Sequence, residues 1–215
     1  MSHPAPARWC LVVPVKLLAH AKTRLAEFAG AHREALALAF AADTLTAAVR
    51  SPAVAAVYVV TDDPVARAVL GGLGAVVVAD EPDAGLNPAL AHGGRLAARR
   101  QPECGIGALS ADLPALRPTE LTLALALASA YPSAVVADAA GSGTTLYVAR
   151  AGAVFVPAFG PASLREHVAG GAHPLGDAGL RSLRRDVDTP ADLADALDMG
   201  VGPHTAAVVS RLSVQ

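Results

Sequence analysis

Three cationic side chains follow directly on an apolar segment near the start of the chain. Lys16, Lys22 and Arg24 stand within nine residues, just after a β-branched run that ends at Val15, in a chain with only 17 lysines and arginines. Cations clustered at the end of a buried strand suit an anionic ligand, and three of them suit a triphosphate. A solvated basic loop is the alternative that this feature alone leaves open.

Carboxylates follow two other apolar segments. In LSADLPAL (109–116), Asp112 comes where a strand ends, and in RRDVDTPADL (184–193), Asp186 and Asp188 alternate along an extended segment. Mg²⁺ in nucleotide enzymes is held by one or two carboxylates together with phosphates and waters. We therefore predict a magnesium site on Asp112 with either Asp186 or Asp188. Simple capping of turns and helices is the alternative.

A glycine-containing loop, DAGLNPAL (83–90), ends at Asn87, where a helix is predicted to begin. Backbone N–H groups at a helix start, together with an amide side chain, can read the edge of a base. A helix capped by Asn87 explains the same residues without a ligand.

The loop AFGPASLREH (158–167) places Gly160 and Ser163 at a predicted helix N-terminus, where backbone N–H groups and a hydroxyl can bind a phosphate or a carboxylate. His167 lies one turn beyond Ser163 and is a minor candidate, since a lone histidine is more often a core or surface residue. Thr144, in the segment GSGTT, could add a further hydroxyl.

Several familiar sites are disfavoured or unsupported. There is no G-x-x-x-x-G-K-[ST] loop and no G-x-G-x-x-G after the first strand, which argues against P-loop NTPases and dinucleotide oxidoreductases. No Ser/His/Asp or Cys/His order stands out, and the seven histidines show no zinc spacing. The net charge of −2 offers no basic surface for nucleic acid.

The sequence also bears on the cellular compartment. Cys10 and Cys104 form no recognisable disulfide or metal pattern, as expected in a reducing compartment. The N-terminus lacks the order of a signal peptide, and the longest apolar run is broken at Tyr131-Pro132. We therefore expect a cytoplasmic protein without a membrane partner, and the apolar helices leave room for a homodimer.

The elements that must position these residues alternate between strands and helices. Short β-branched runs predict strands at 8–15, 53–61, 74–79, 105–110, 133–138 and 144–149. Helical patterns with Pro and Gly punctuation predict helices at 31–49, 63–72, 87–100, 117–130 and 189–197, with a short last helix after 200. Continuously apolar strands are typical of a sheet that is buried on both faces. The order predicts one domain over 1–215, an α/β three-layer fold with a mostly parallel sheet, and a flexible segment 1–8.

Ligands of such sheets bind beyond the carboxyl ends of the strands. That rule brings the cationic loop after the first strand and Asp112 after the fourth to the same edge of the predicted sheet. The sequence therefore predicts one site that combines cations with a metal-binding carboxylate.

Six motifs in this order resemble a known family. They are VPVKLLAHAKTRLA, DAGLNPAL, LSADLPAL, GSGTT, FGPASLREH and DVDTPADL. Together they resemble the CofC/FbiD nucleotidyltransferases of coenzyme F420 biosynthesis, from about residue 10 to about residue 205. DVDTPADL also occurs in related molybdenum-cofactor nucleotidyltransferases, but the K-x5-K-T-R-L segment and the FGPxS loop make the combination specific. The resemblance implies a single-domain, Rossmann-type nucleotidyltransferase fold of the glycosyltransferase-A kind.

The resemblance also implies an activity and its site. The family moves GMP from GTP onto the phosphate of a small acid, which could be phosphoenolpyruvate, 2-phospho-L-lactate or 3-phosphoglycerate, with Mg²⁺ and release of diphosphate. The product then passes to the next transferase of the pathway. By resemblance, Lys16, Lys22 and Arg24 hold the triphosphate, Asp112 and Asp188 bind Mg²⁺, Gly85, Leu86 and Asn87 lie beside guanine, and Thr144, Gly160 and Ser163 hold the acceptor acid.

Some alternatives stay open at this point. Ser142 stands where many relatives have threonine, and the resemblance does not decide between Thr144 and Thr145 in the acceptor site. A nucleotidyltransferase of the same fold could act on a molybdopterin or a sugar phosphate. A non-catalytic nucleotide-binding module is the alternative from a different class.

Overall fold

A seven-stranded sheet forms the centre of the molecule in the computed structural model, which describes residues 8–81, 83–176 and 178–212. The strands are β1 (Trp9–Pro14), β2 (Val54–Val60), β3 (Val76–Val78), β4 (Gly105–Leu109), β5 (Ser133–Ala137), β6 (Thr144–Ala149) and β7 (His173–Pro174). Their order across the sheet is β3-β2-β1-β4-β6-β5-β7. Strand β6 runs antiparallel to its neighbours β4 and β5, and the other pairs are parallel. The predicted mostly parallel sheet is confirmed, with β7 as an added edge strand.

The helices connect these strands. They are α1 (Ala26–Ala29), α2 (Arg33–Arg50), α3 (Pro64–Gly72), α4 (Leu86–Arg100), α5 (Pro118–Ala128), α6 (Ser163–Ala169), α7 (Arg181–Arg184), α8 (Pro190–Met199) and α9 (Pro203–Leu212). Three 3-10 turns, Leu18–His20, Thr23–Leu25 and Gly30–His32, surround α1. Within the described ranges, none of the helices has the length and apolar character needed to cross a membrane.

The predicted helix starts are confirmed at two places and wrong at a third. Asp63 caps α3 ahead of Pro64, and Thr189 forms a capping box with Asp192 at the start of α8. Helix α4, by contrast, begins one residue earlier than expected, at Leu86, with a glycine at its N-cap. Asn87 lies inside the helix, and its side chain makes a long-range contact described below.

Helices cover both faces of the sheet, which confirms the three-layer α/β architecture. On β1, Leu11 and Val13 face the core that contains residues of α2, α3 and α5. Cys10 and Val12 point to the other face and pack against α4. Both faces of this central strand are therefore buried, which is why it is apolar without alternation. The predicted flexible segment lies outside the described residues except for Arg8, whose carbonyl accepts a 2.9 Å hydrogen bond from the backbone of Gly105.

Helix α4 lies unusually close to the sheet. A Cβ atom on Gly93 would stand 2.6 Å from Val12 Cγ1 and 2.8 Å from Val60 Cγ2. Such distances are shorter than a van der Waals contact, so the residue at this position must lack a side chain. The close approach sets the height of α4 above β1 and β2, and with it the position of the loop that precedes α4.

Helix α9 is fixed to the body of the protein by a carboxylate from another helix. Asp43, a buried residue of α2, accepts hydrogen bonds from the backbone N–H groups of His204 at 3.0 Å and Thr205 at 2.8 Å. These N–H groups belong to the first turn of α9, where no partner within the helix exists. Asp43 therefore acts as an N-terminal cap supplied from a distance of about 160 residues in the sequence.

Replacing Asp43 by Ala is expected to lower the free energy of unfolding by about 1–3 kcal/mol, because two N–H groups lose their acceptor. Urea denaturation followed by circular dichroism measures the effect. Asp198→Ala, on the exposed side of α8, is the matched control and should change stability by less than about 0.5 kcal/mol. Equal values for the two variants would show that the cap contributes nothing.

Candidate active site

A cavity of about 470 Å³ opens at the carboxyl ends of β1 and β4. The loop after β1 forms one wall, and the segment after β4 forms another. Its polar lining includes Lys16, Lys22, Arg24, Ser110, Asp112 and Asp188. The structure thus brings together the cations and two carboxylates that the sequence singled out, at the edge where the sheet geometry predicted them.

Lys22 joins the two carboxylates. Its Nζ donates a hydrogen bond to Asp112 Oδ2 and another, at 2.6 Å, to Asp188 Oδ1. Burial alone would lower the pKa of Lys22, but the two carboxylates outweigh it and raise the pKa, so the amine is an ammonium ion. Lys22 also has a left-handed backbone, with φ of 51°, which costs a non-glycine residue about 1–2 kcal/mol. The sequence predicted a phosphate contact for Lys22 and gave no sign of this ion pair.

The carboxylates around Lys22 fit a magnesium ion that is shared with substrate. Asp112 and Asp188 both reach the same ammonium group, so both could contact one small cation at that place. In the part of the chain that the structure describes, no group of three or more His, Cys, Asp or Glu side chains forms a metal cage. Two carboxylates completed by phosphate oxygens and water form the set that Mg²⁺ prefers.

Asp186 does not line the cavity, and Lys22 contacts Asp112 and Asp188 instead. The partial burial of Asp186, and then its proximity to Asp112 and Asp188, raise its pKa to about 7. The Lys22 ammonium contacts Asp188, which makes Asp188 the geometrically better partner of Asp112. The sequence left open whether Asp186 or Asp188 joins Asp112, and the contacts of Lys22 favour Asp188. The metal-binding role of both residues of the pair stays a prediction.

Two residues that sequence reasoning did not connect with the site hold the cationic loop in place. Arg33 donates to the carbonyl oxygens of Leu18, Ala19 and Ala21, the second at 2.8 Å. Asp63 accepts a 2.9 Å hydrogen bond from the backbone N–H of Leu18. Burial would raise the pKa of Asp63, but its backbone hydrogen bonds outweigh burial and lower the pKa, so it is an anion. The loop is therefore anchored at its first turn, before it reaches Lys22.

A second cavity of about 410 Å³ adjoins the first. Lys16 and Leu86 line both cavities, and Gly85, Thr61 and Asp62 line only the second. This cavity is lined by the ends of β1 and β2, on the side of β1 away from Asp112, and could take the base and ribose of a nucleotide whose phosphates lie in the first cavity. Gly85 and Leu86 line this cavity, and their contact with guanine stays a prediction.

Asn87 is placed differently from what the sequence suggested. Its Nδ2 donates to the carbonyl of Phe159 at 2.9 Å, and its Oδ1 accepts from the N–H of Phe159 at 2.7 Å. Both polar groups of the amide therefore contact one backbone residue. Asn87 fastens the loop that precedes α6 to the start of α4, and one amide hydrogen and one lone pair of its oxygen are left for a ligand. The contact of Asn87 with the base stays a prediction.

Thr144 lies at the same edge because β6 is antiparallel, so that the first residue of β6 meets the last residues of its neighbours. An irregularity in the pairing of β5 with β6 sets Thr144 opposite Ala137 and leaves one extra residue, Thr145, on β6. The Thr144 hydroxyl is 3.1 Å from His167 Nδ1, whereas Thr145 is fully buried and its hydroxyl has no hydrogen-bond partner among the described residues. The geometry therefore favours Thr144 over Thr145 as the residue beside the 158–163 loop.

His167 is buried between this loop and β6. Its Nε2 accepts a 2.9 Å hydrogen bond from the N–H of Ala158, and its ring stacks on Tyr147 at 4.4 Å between centroids. Burial lowers the pKa of His167 to about 4, so the imidazole is neutral at physiological pH. Gly160 and Ser163 follow on the same loop, with Ser163 as the first residue of α6, as the sequence predicted.

Comparisons with known proteins show what the whole chain is similar to. A family model described as guanylyl transferase CofC like matches residues 9–215. A phosphoenolpyruvate guanylyltransferase from Thermomonospora curvata is 62% identical over 98% of this chain and 92% of that protein. A second phosphoenolpyruvate guanylyltransferase, from Streptomyces avermitilis, is 54% identical over 96% of each chain.

Solved structures show the same fold at lower identity. A nucleotidyl transferase from Methanothermobacter thermautotrophicus is 18% identical and superposes with a TM-score of 0.62 over 89% of this chain and 96% of that one. At this level of identity the likeness concerns the fold, and it confirms the predicted nucleotidyltransferase architecture.

Proposed function

The chain belongs to the CofC-like family of guanylyl transferases, and from this membership we propose that it moves GMP from GTP onto the phosphate of phosphoenolpyruvate, with release of diphosphate. Relatives between 54% and 62% identical carry the name phosphoenolpyruvate guanylyltransferase. The observation that carries the proposal is the cavity in which Lys16 and Arg24 face the Asp112–Asp188 pair, with a second cavity beside it for the nucleoside.

The proposed reaction needs little covalent chemistry from the protein. A phosphate oxygen of the acceptor attacks the α-phosphorus of GTP, and the bond from that phosphorus to the diphosphate oxygen breaks. Because the acceptor phosphate is already deprotonated at pH 7, no general base is required. Positioning of the two substrates and neutralisation of their charge provide the catalysis.

Each part of the cavity has a role in this proposal. Lys16 and Arg24 bind the phosphates that leave as diphosphate, since neither is ion-paired within the described parts of the chain. Asp112 and Asp188 hold Mg²⁺, which supplies charge neutralisation on the phosphates when it is bound. Lys22 lines the cavity together with those carboxylates, so its ammonium can exchange a carboxylate for a phosphate oxygen.

The acceptor side of the proposal uses the 158–163 loop. The Thr144 and Ser163 hydroxyls and the backbone around Gly160 bind the carboxylate of the acid and turn its phosphate toward GTP. 2-Phospho-L-lactate and 3-phosphoglycerate carry the same two anionic groups and differ from phosphoenolpyruvate by few atoms. The difference amounts to about one hydrogen bond, so the acceptor is decided by experiment.

We place the reaction in coenzyme F420 biosynthesis, in the cytoplasm, where GTP and phosphoenolpyruvate are both available. The product joins a guanosine and an enolpyruvyl group through a diphosphate, and such an activated diphosphate is a substrate for a further transferase. The resemblance of the six sequence motifs to the F420 enzymes supports this placement.

Diphosphate release from GTP and Mg²⁺, measured with each of the three acids in parallel, tests the proposal. Release with phosphoenolpyruvate alone, or at much the highest kcat/KM, is the expected result. Preference for another acid would change the proposed acceptor but leave guanylyl transfer as the proposed reaction. If no acid supports release while GTP still raises the melting temperature, the chain is a nucleotide-binding module and the proposal fails.

Lys16→Met is expected to raise KM for GTP about 10- to 100-fold, because a charge-assisted contact to a phosphate is lost. Steady-state kinetics at saturating acceptor measures the change. Arg165→Met removes a cation of α6 that is 80% exposed, and it should leave KM for GTP unaltered. An unchanged KM in Lys16→Met would remove Lys16 from the triphosphate site.

A further inference from the structure

His167 connects two parts of the acceptor side that are separate in sequence. One ring nitrogen, Nε2, is 2.9 Å from the backbone nitrogen of Ala158, at the start of the 158–163 loop. The other, Nδ1, is 3.1 Å from the hydroxyl oxygen of Thr144. The imidazole is 97% buried, since its residue exposes 3% of its surface, so water cannot compete for these contacts.

The first contact determines where the imidazole proton resides. A backbone N–H can only donate, so Nε2 must offer its lone pair to Ala158 and carry no hydrogen. A proton on Nε2 would set two N–H groups against each other at 2.9 Å. The proton of the neutral ring is therefore on Nδ1, and the low pKa of His167, which burial causes, agrees with a neutral ring.

The second contact then determines the direction of the Thr144 hydroxyl. The imidazole also has a hydrogen bond with the backbone of Ser163, which raises its pKa by less than burial lowers it, so a carbonyl shares Nδ1–H with Thr144 Oγ1. Because Nδ1 carries the proton, it cannot accept from the Thr144 hydroxyl, which must turn its own hydrogen elsewhere. The backbone of Thr144 lies beside the main cavity, since its carbonyl is 3.5 Å from the hydroxyl of Ser110, which lines that cavity. With the opposite tautomer, Nδ1 would attract the hydroxyl hydrogen, and Thr144 would present lone pairs to an anion.

We propose that His167 is a positioning residue that fixes the Thr144 hydroxyl as a hydrogen-bond donor to an anionic group of the acceptor acid. This inference rests on the proposed function, in which the acceptor carries a carboxylate and a phosphate. An anion has no hydrogen to donate, so a threonine whose hydroxyl hydrogen is kept away from His167 favours it over a neutral or donating group. The chain of contacts runs from Ala158 through His167 to Thr144 and ends at the acceptor.

Two amide variants separate the two contacts of the imidazole. In His167→Gln the amide reaches the position of Nε2 and can still accept from Ala158, but it offers no donor at the position of Nδ1. In His167→Asn the shorter amide lies near the position of Nδ1 and can still donate to Thr144. We expect KM for the acceptor to rise about tenfold or more in His167→Gln and to be partly restored in His167→Asn. KM for GTP and kcat should stay within about twofold of the parent values in both variants.

A double-mutant cycle tests whether His167 acts through Thr144. Thr144→Val removes the hydroxyl, and in that background His167→Gln is expected to raise KM for the acceptor by less than about twofold. Equal and additive effects of the substitutions, or a rise in KM for GTP as large as that for the acceptor, would overturn the inference in favour of a packing role. Melting temperatures of all variants identify any that are poorly folded.

The tautomer can be read without any substrate. A two-dimensional ¹⁵N–¹H correlation spectrum of the imidazole, assigned with His167→Gln, is expected to show a protonated Nδ1 and an unprotonated Nε2 in the wild-type protein. A proton on Nε2 would overturn the inference, even if guanylyl transfer is confirmed. If guanylyl transfer fails instead, the spectrum and the binding of inorganic phosphate to the wild type, Thr144→Val and His167→Gln still decide it, because the inference requires weaker binding in both variants.

Discussion

Replacing Asp112 by Asn is expected to lower kcat/KM for guanylyl transfer by about a thousandfold, with the fold intact. The amide keeps the shape of the side chain but removes one of the two negative charges that meet at Lys22. A carboxylate that holds a divalent cation at developing phosphate charge lowers the activation barrier by several kcal/mol, on the order of a thousandfold or more in rate. The Asp112 carbonyl, which accepts from the backbone of Val187 at 3.0 Å, is unaffected by the substitution.

Asp198→Asn is the matched control for Asp112→Asn. That residue offers the same chemical change on the exposed surface of α8, and its kinetics should match the wild type. Diphosphate release measures activity, and thermal unfolding measures the fold. Full turnover by Asp112→Asn, with Mg²⁺ as the only divalent metal, would exclude Asp112 from the metal site.

Gly93→Ala is expected to destabilise the protein by about 1–3 kcal/mol, although alanine is the better helix former. The added methyl group would stand 2.6 Å from Val12 Cγ1, so α4 must shift away from the sheet or the valines must leave their rotamers. Gly72→Ala in α3 is the counterpart, since nothing lies within 4 Å of its Cβ position. There the gain in helix propensity should stabilise the protein by up to about 1 kcal/mol.

The opposite signs of these two changes are the decisive outcome. Chemical denaturation of both variants under the same conditions gives the two free energies of unfolding. Stabilisation by Gly93→Ala would mean that α4 does not lie as close to β1 and β2 as described. Because the loop before α4 carries Gly85, a displaced α4 should also weaken GTP binding.

The strands could be predicted from the sequence because a strand that is buried on both faces is a continuous run of apolar residues. Six of the seven strands lie within the predicted segments, each a run of β-branched or small apolar residues. Strand β7 has two residues, His173 and Pro174, and offers no periodicity that a pattern could detect. The start of α4 was misjudged because Asn87 before a proline has the composition of a cap, while its actual partner, Phe159, lies 72 residues away.

Candidate site residues could be predicted where they come directly after a strand. They could not be predicted where their position depends on partners that are distant in the sequence. Lys16 and Asp112 come directly after strands, so topology brings them together. The anchoring of the cationic loop by Arg33 depends on three carbonyl groups whose positions only the folded loop defines. His167 stood in the sequence as a lone histidine, and its importance arises from two partners on other segments.

The reversed direction of β6 has a consequence for how such an enzyme can diversify. The turn between β5 and β6, residues 138–143, lies at the substrate edge of the sheet, and its Ser142 carbonyl touches the start of α6 at 3.2 Å from Leu164 N. The carboxylates Asp112 and Asp188 belong to other loops. Insertions or substitutions in this turn can therefore change which acceptor binds and leave the loops of Asp112 and Asp188 unaltered.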